Sequence, residues 1–208
     1  MAASTTLPAV PDRADLSYVS SDPRVLGGET ESSSLTAARV GRVALNLLRL
    51  ALGVEFLWAF LDKTFGLGYA TPDARAWVHG GSPTKGFLSG VDAGPLQSLF
   101  NAIAGNPVID WLFMLGLLGI GVALILGVAL RIAAASGVVL LLMMWLASWP
   151  LASTVAGKPT GSTNPLIDDH IISALAIIVV GAYAAHSAGY LGRWWSEQPL
   201  VRRSPWMR

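Results

Sequence analysis

The sequence predicts an all-α integral membrane protein, an antiparallel bundle of four transmembrane helices with a long extracytoplasmic loop between helices 1 and 2. Three observations predict it. The 208 residues are 53% hydrophobic and only 13% charged, about half the roughly 25% charge of soluble proteins. Four apolar segments follow one another, at about 40–61, 109–129, 132–149 and 166–190, each near the ~20 residues that cross a ~30 Å hydrocarbon layer. Eight tryptophans, several near the ends of those runs, resemble the aromatic belts of membrane interfaces.

Composition also excludes. A net charge of +1 gives no basic footprint for nucleic acid. The absence of cysteine removes disulfides, thiol catalysis, iron–sulfur ligation and Cys-based zinc sites. No P-loop, dinucleotide fingerprint or Ser-His-Asp elbow is present, and no flavin or nicotinamide fold fits the remaining sequence.

Residues 1–36 are rich in Ser, Thr, Pro, Asp and Gly. They bury too little apolar surface to offset ordering entropy and read as a disordered cytoplasmic tail; no continuous apolar stretch marks a secretory signal. Residues 37–192 hold the four helices, and 193–208 form a basic cytoplasmic tail. The runs lack period-two alternation, so helices are the spanning solution. The third is short, and Trp145 and Trp149 anchor its outer end. "LGVALRIAAASG" joins helices 2 and 3 with only Arg131 as punctuation, which makes them antiparallel neighbours; a soluble hairpin so apolar on every face is disfavoured.

Orientation follows the positive-inside rule. Arg39, Arg42, Arg131, Arg193, Arg202 and Arg203 fall on one side, and Lys63, Arg75, Lys85 and Lys158 on the other. Both termini are therefore expected in the cytoplasm of a multi-pass cell-membrane protein. The first outer loop, Lys63 to Val108, contains an expected interfacial helix. Pro95 opens it, and Leu96, Leu99, Phe100 and Ile103 make its apolar stripe. It serves as a structural cap or as a lid over the bundle mouth. Small residues at spacing four (Gly119, Ala123 and Gly127; Gly181, Ala185 and Gly189), with Gly53 on helix 1, suit close helix approach.

"LRLALGVEFLWAFLDK" places Arg49 and Glu55 inside the first apolar run. An ionised group in mid-membrane costs ~2.5 kcal/mol or more, and such groups usually face a bundle interior. Glu55, Trp58 and Asp62 share one helical face; Arg49 and Lys63 share another, with Gly53 and Phe56. Arg49 and Glu55 are six apart and form no i,i+4 pair. Three readings stay open. In the structural one, Arg49 pairs with a helix-end carbonyl or a carboxylate, and Glu55 is neutral or hydrogen-bonded. In the chemical one, Glu55 and Asp62 exchange protons with a quinone that stacks on Trp58. In the third, the charges line a substrate or ion pathway.

A second cluster is "STNPLIDDHIISALAIIV". Asn164–Pro165 signals a turn and a helix start. Asp168 and Asp169 fall in the first turns, where the helix dipole favours carboxylates. His170 is a candidate proton relay to Glu55 or Asp62. Consecutive side chains point in different directions, so no metal site is expected. No haem is expected either, since His79 lies in a loop and His186 sits sixteen residues from His170.

"RLALGVEFLWAFLDKTFG", "LGLLGIGVALILGVALRIAAASGVVLLL" and "NPLIDDHIISALAIIVV" together resemble the DoxX-like membrane proteins: an arginine and a Leu-Gly step before a lysine, a tight second hairpin with an arginine, and the start of the last helix. The resemblance covers roughly Arg39 to Tyr190. It implies a four-helix membrane fold. The family includes DoxD, the membrane subunit of thiosulfate:quinone oxidoreductase, which works with a second subunit, DoxA. The implied role is a membrane subunit of a quinone-linked redox complex, with quinone as substrate and a separate DoxA-like partner. Arg49, Lys63 and Asp169 are the positions the motifs carry over; Glu55, Asp62, Trp58 and His170 rest on the physical reading. The alternatives are a non-catalytic membrane scaffold or assembly protein and a small-solute transporter, the latter disfavoured by the lack of inverted repeats. A homo-oligomer is compatible with all three.

Overall fold

The computed structural model describes residues 23–184 and 190–204. The chain divides into two compact units, one up to Val43 and one from Ala44. Helix α1 is Pro23–Phe65. It begins inside the segment whose composition reads as a disordered tail, so Pro23 to Thr36 is helical; residues 1–22 lie outside the described ones. Once an apolar helix is nucleated, adding a turn of polar residues is far easier than starting one. In the first unit, the residues from Ser34 to Val43 are exposed.

In the second unit, three-residue 3-10 turns at Asp73–Arg75 and Trp77–His79 precede α2 (Lys85–Leu88) and α3 (Gln97–Ile103). Next come α4 (Pro107–Leu126), α5 (Leu130–Ser148), a hairpin of β1 (Thr154–Val155) and β2 (Lys158–Pro159), α6 (Asp169–Ala182), α7 (Tyr190–Glu197) and α8 (Pro199–Arg203).

Among the described residues three helices are long and apolar enough to cross a membrane: Ser34–Phe65, Pro107–Leu126 and Leu130–Ser148. The fourth expected span, 166–190, is described as the 14-residue α6; Ala185 and Gly189, in its expected stripe, and His186 lie outside the described residues. The outer faces are as apolar as the inner ones. Val108, Trp111, Leu112 and Leu115 form an exposed stripe on α4, as do Ile172, Leu175, Ile178 and Val179 on α6. Such all-round apolarity fits lipid rather than water as the surroundings.

Each boundary has a local cause. Asn106 caps α4 by accepting from the Val108 N–H at 2.9 Å, with Pro107 at the first helical position. Gly127 ends α4 in the left-handed conformation, and Ala129, also left-handed at φ 49°, opens α5. Two such residues reverse the chain within a few positions, as the short link predicts. Asp168 caps α6 by accepting from the Ile171 N–H at 3.1 Å. Asn164 caps only a turn, taking the Leu166 and Ile167 N–H groups, so α6 begins later than the Asn–Pro signal suggests.

The core joins Leu52 and Phe56 of α1, Met114, Leu117, Ile120 and Leu124 of α4, Leu130, Ala133, Ala134 and Leu141 of α5, and Ala174, Ile177 and Val180 of α6. Close approach uses two of the expected glycines, Gly53 and Gly181, the latter with a Cβ position 2.5 Å from Ala134 Cβ, and also Gly121, which lies outside that set. A Cβ on Gly53 would lie 2.8 Å from Ile125 Cγ1, and one on Gly121 would lie 2.8 Å from the Leu57 nitrogen. A Cβ on Gly119 would meet nothing within 4 Å. Gly119 is two residues, hence 200° of helix, from the contact face. Gly121→Val is therefore expected to wedge α1 from α4 and destabilise by about 1–3 kcal/mol. The measurement is the thermal midpoint in detergent, which Gly119→Val leaves nearly unchanged.

Candidate functional site beneath the outer loop

The long loop between α1 and α4 is folded onto the ends of the helices by two buried carboxylates. Asp62, in the last turn of α1, is 1% exposed. Its oxygens accept from the Tyr69 N–H at 3.2 Å and the Ala70 N–H at 3.1 Å. A carboxylate at a helix C-terminus opposes the dipole, and these two donors offset that. Asp110, in the first turn of α4, is also buried. Its Oδ1 accepts from Ser82 Oγ (3.0 Å), the Thr84 N–H (3.0 Å) and Thr84 Oγ1 (2.6 Å). Trp77 packs edge-on against Trp111 with ring centroids 4.6 Å apart. Leu88, Val91, Phe100 and Ala147 form a second apolar cluster that seats α3 on the C-terminal end of α5. A short helix is present where one was expected, with Phe100 buried and Leu99 51% exposed.

Under this roof lies a cavity of about 680 Å³, within the size range of small-molecule sites. Its walls are mostly apolar: Phe87, Leu88, Leu99 and Phe100 from the loop, Ile109, Leu112 and Phe113 from α4, and Val139, Leu140, Met143 and Met144 from α5, with Thr71, Ser82 and Thr84 among the polar ones. Two cations line it, Lys63 and Arg75, and no carboxylate does. Lys63 Nζ sits 5.9 Å from the Phe113 ring centroid, a cation–π distance. Among the described residues neither cation is in an ion pair. The site can hold an apolar ring or chain and donate hydrogen bonds to its polar end.

Of the seven candidate residues, only Lys63 lines the cavity. Asp62 acts as a loop anchor. Arg49 is buried and donates from Nη1 to the carbonyls of Leu124 and Ile125, the latter at 3.0 Å, which is the helix-end pairing of the structural reading. Glu55 does not face the bundle interior: it is exposed and accepts from Ser173 Oγ at 3.1 and 3.2 Å, along the α1–α6 seam. Trp58 is exposed too, its ring edge-on to Tyr69 at 5.2 Å. Glu55 and Asp62 do share a helical face, but Asp62 is buried because the loop folds over the helix end there. His170 bonds to neither Glu55 nor Asp62. Its Nδ1 lies 2.9 Å from Asp168 Oδ2 and 3.3 Å from Asp169 Oδ1.

The expectation that Asp168, Asp169 and His170 diverge is also corrected. One ligand atom from each falls within 4.8 Å of the others. Asp168 is the cap, with extended backbone (φ −112°, ψ −172°), so its side chain folds back toward the first turn instead of following the helical spiral. Sequence reasoning missed Arg75, Ser82, Thr84 and Asp110. An aspartate four residues after an Asn–Pro helix start was a usable signal, because a carboxylate that deep in an apolar run needs donors from elsewhere.

The chain matches no family model, no curated protein and no solved structure.

Asp110→Ala strands the Thr84 N–H and two hydroxyls. The loop around Thr84 is expected to open, with its amide exchanging roughly 10- to 100-fold faster. Hydrogen exchange checks this, the Tyr69 amide held by Asp62 serving as the unaffected reference.

Proposed function

We propose that the chain is a four-span protein of the cell membrane, with both termini cytoplasmic and the long loop outside, that binds a quinone beneath that loop as a membrane subunit of a quinone-linked redox complex. The observation that supports this most is Lys63, a cation without an ion-pair partner among the described residues, set against Phe113 at the edge of a cavity with mostly apolar walls. Its ammonium would donate to a ring carbonyl. Phe100, Phe113 and Met144 would face the ring, and the tail would leave past Leu112, Val139 and Met143, which are 63%, 61% and 40% exposed on faces suited to lipid. A quinone takes up two electrons and two protons when reduced; electrons would come from a separate subunit of the DoxA kind. Leu166 and Ile167, exposed just before α6, lengthen the fourth span. Under this reading Arg131, Arg193, Arg202 and Arg203 would lie on the cytoplasmic side, as the positive-inside rule expects. Glu55 and His170 sit outside the cavity and have no part in binding under this reading.

A scaffold or assembly role is the second reading. It is favoured by Arg49, Asp62 and Asp110, buried charges that all bind backbone groups.

Thiosulfate-dependent quinone reduction in membranes separates the readings. Lys63→Gln is expected to weaken quinone affinity roughly tenfold or more, the worth of a charged hydrogen bond, while Glu55→Gln stays near the parent. The reverse pattern would move the site to the α1–α6 seam. Reduction indifferent to the protein, in membranes of its own host, would favour the scaffold.

A further inference from the structure

Helices α7 and α8 present a face that the quinone reading does not use. On α7, Leu191, Trp194 and Trp195 fall within an arc of about 100°, and Gly192, Arg193, Ser196 and Glu197 occupy the rest. Leu191 and Trp194 are 43% and 54% exposed. On α8, Val201 is buried while Leu200 is 73% exposed. Arg193, Arg202 and Arg203 are exposed beside these apolar groups, and among the described residues none of the three is in an ion pair. Glu197 is the one acid against these three arginines between Tyr190 and Ser204. Gln198 ties the two helices, donating from its backbone N–H to the Trp195 carbonyl at 3.1 Å and from Nε2 to the Trp194 carbonyl at 3.0 Å.

We propose that α7 and α8 form an interfacial anchor that binds anionic phospholipid headgroups of the bilayer the protein spans. Three properties favour a lipid surface. Indole and leucine side chains beside arginine match the layered polarity of a headgroup region, where tryptophan is enriched. Guanidinium groups bind phosphate oxygens in bidentate fashion. The segment also comes soon after the apolar helix α6 in the chain, so under the membrane reading a bilayer surface is close at hand. Each arginine near an anionic leaflet strengthens association roughly fivefold, and the gain fades with salt.

The absence of cysteine makes the test clean. The full chain carrying Leu200→Cys is labelled with an environment-sensitive fluorophore. It is placed in nanodiscs of phosphatidylcholine alone, or of phosphatidylcholine with phosphatidylglycerol. Phosphatidylglycerol is expected to shift the emission to the blue and to shield the label from acrylamide. High salt should reverse much of this, and the combined Arg193→Gln, Arg202→Gln and Arg203→Gln variant should remove it. Equal emission and quenching in both lipids would overturn the proposal. So would shielding that persists in neutral lipid, which would mean a protein surface covers the face, or shielding by phosphatidylglycerol that survives the triple variant.

Discussion

The hydrogen bonds from Arg49 to the end of α4 fix the register of the bundle. A helix terminus leaves its last carbonyls without intrahelical donors, and in an apolar layer water cannot supply them. Here the carbonyl of Ala123 accepts from Gly127 and Val128, and those of Leu124 and Ile125 accept from Arg49. A side chain on α1 thereby completes the backbone of α4. That bond holds α1 where Gly53 and Gly121 let the backbones meet. Larger residues at the crossing would push Arg49 out of reach of the carbonyls it serves.

The consequence runs the length of α1. Asp62 lies thirteen residues beyond Arg49, about 20 Å along the axis. Once the helix is fixed at Arg49, its C-terminal end is as well, and Asp62 presents two lone-pair positions to the returning chain at Tyr69 and Ala70. Asp110 does the same from α4 for Ser82 and Thr84. The loop is long but held at both carboxylates, which is why it roofs a cavity instead of trailing into solvent. Lys63 follows Asp62 by one residue, so it points about 100° away, toward Phe113. Its place in the cavity is a by-product of the anchor beside it.

The helical architecture was legible because lipid imposes a simple rule on composition, and α4 and α5 obey it over nearly their whole length. The interfacial helix was legible from Pro95 and the stripe through Phe100. Less legible was how charges would be used. Helical geometry puts Glu55 and Asp62 on one face, yet which of them is buried depends on where a loop distant from Glu55 lands. The small-residue pattern suggested Gly119, but helix crossing selects by rotation, and Gly121 is the residue that meets Leu57. Asp168 and its neighbours come together because a cap is not part of the spiral that sequence spacing assumes. The hairpin at Thr154–Pro159, turned by Ala156 and Gly157 at positive φ, had no alternating run to announce it.

These uses of charge divide the polar residues into two groups with different meanings. Arg49, Asp62 and Asp110 are buried and bound to backbone or neighbouring hydroxyls, so they stabilise a particular chain path and are poorly placed to change partners during a reaction. Lys63 and Arg75 lie on a cavity wall and are not in ion pairs among the described residues, and neither replaces a missing backbone donor. A cation at an apolar wall is unfavourable unless something polar meets it, and Phe113 supplies only part of that. The residues whose charges look most out of place in the sequence are thus mostly structural. The ligand-directed chemistry falls to a lysine at a helix end and an arginine in a loop, positions where charge is ordinary.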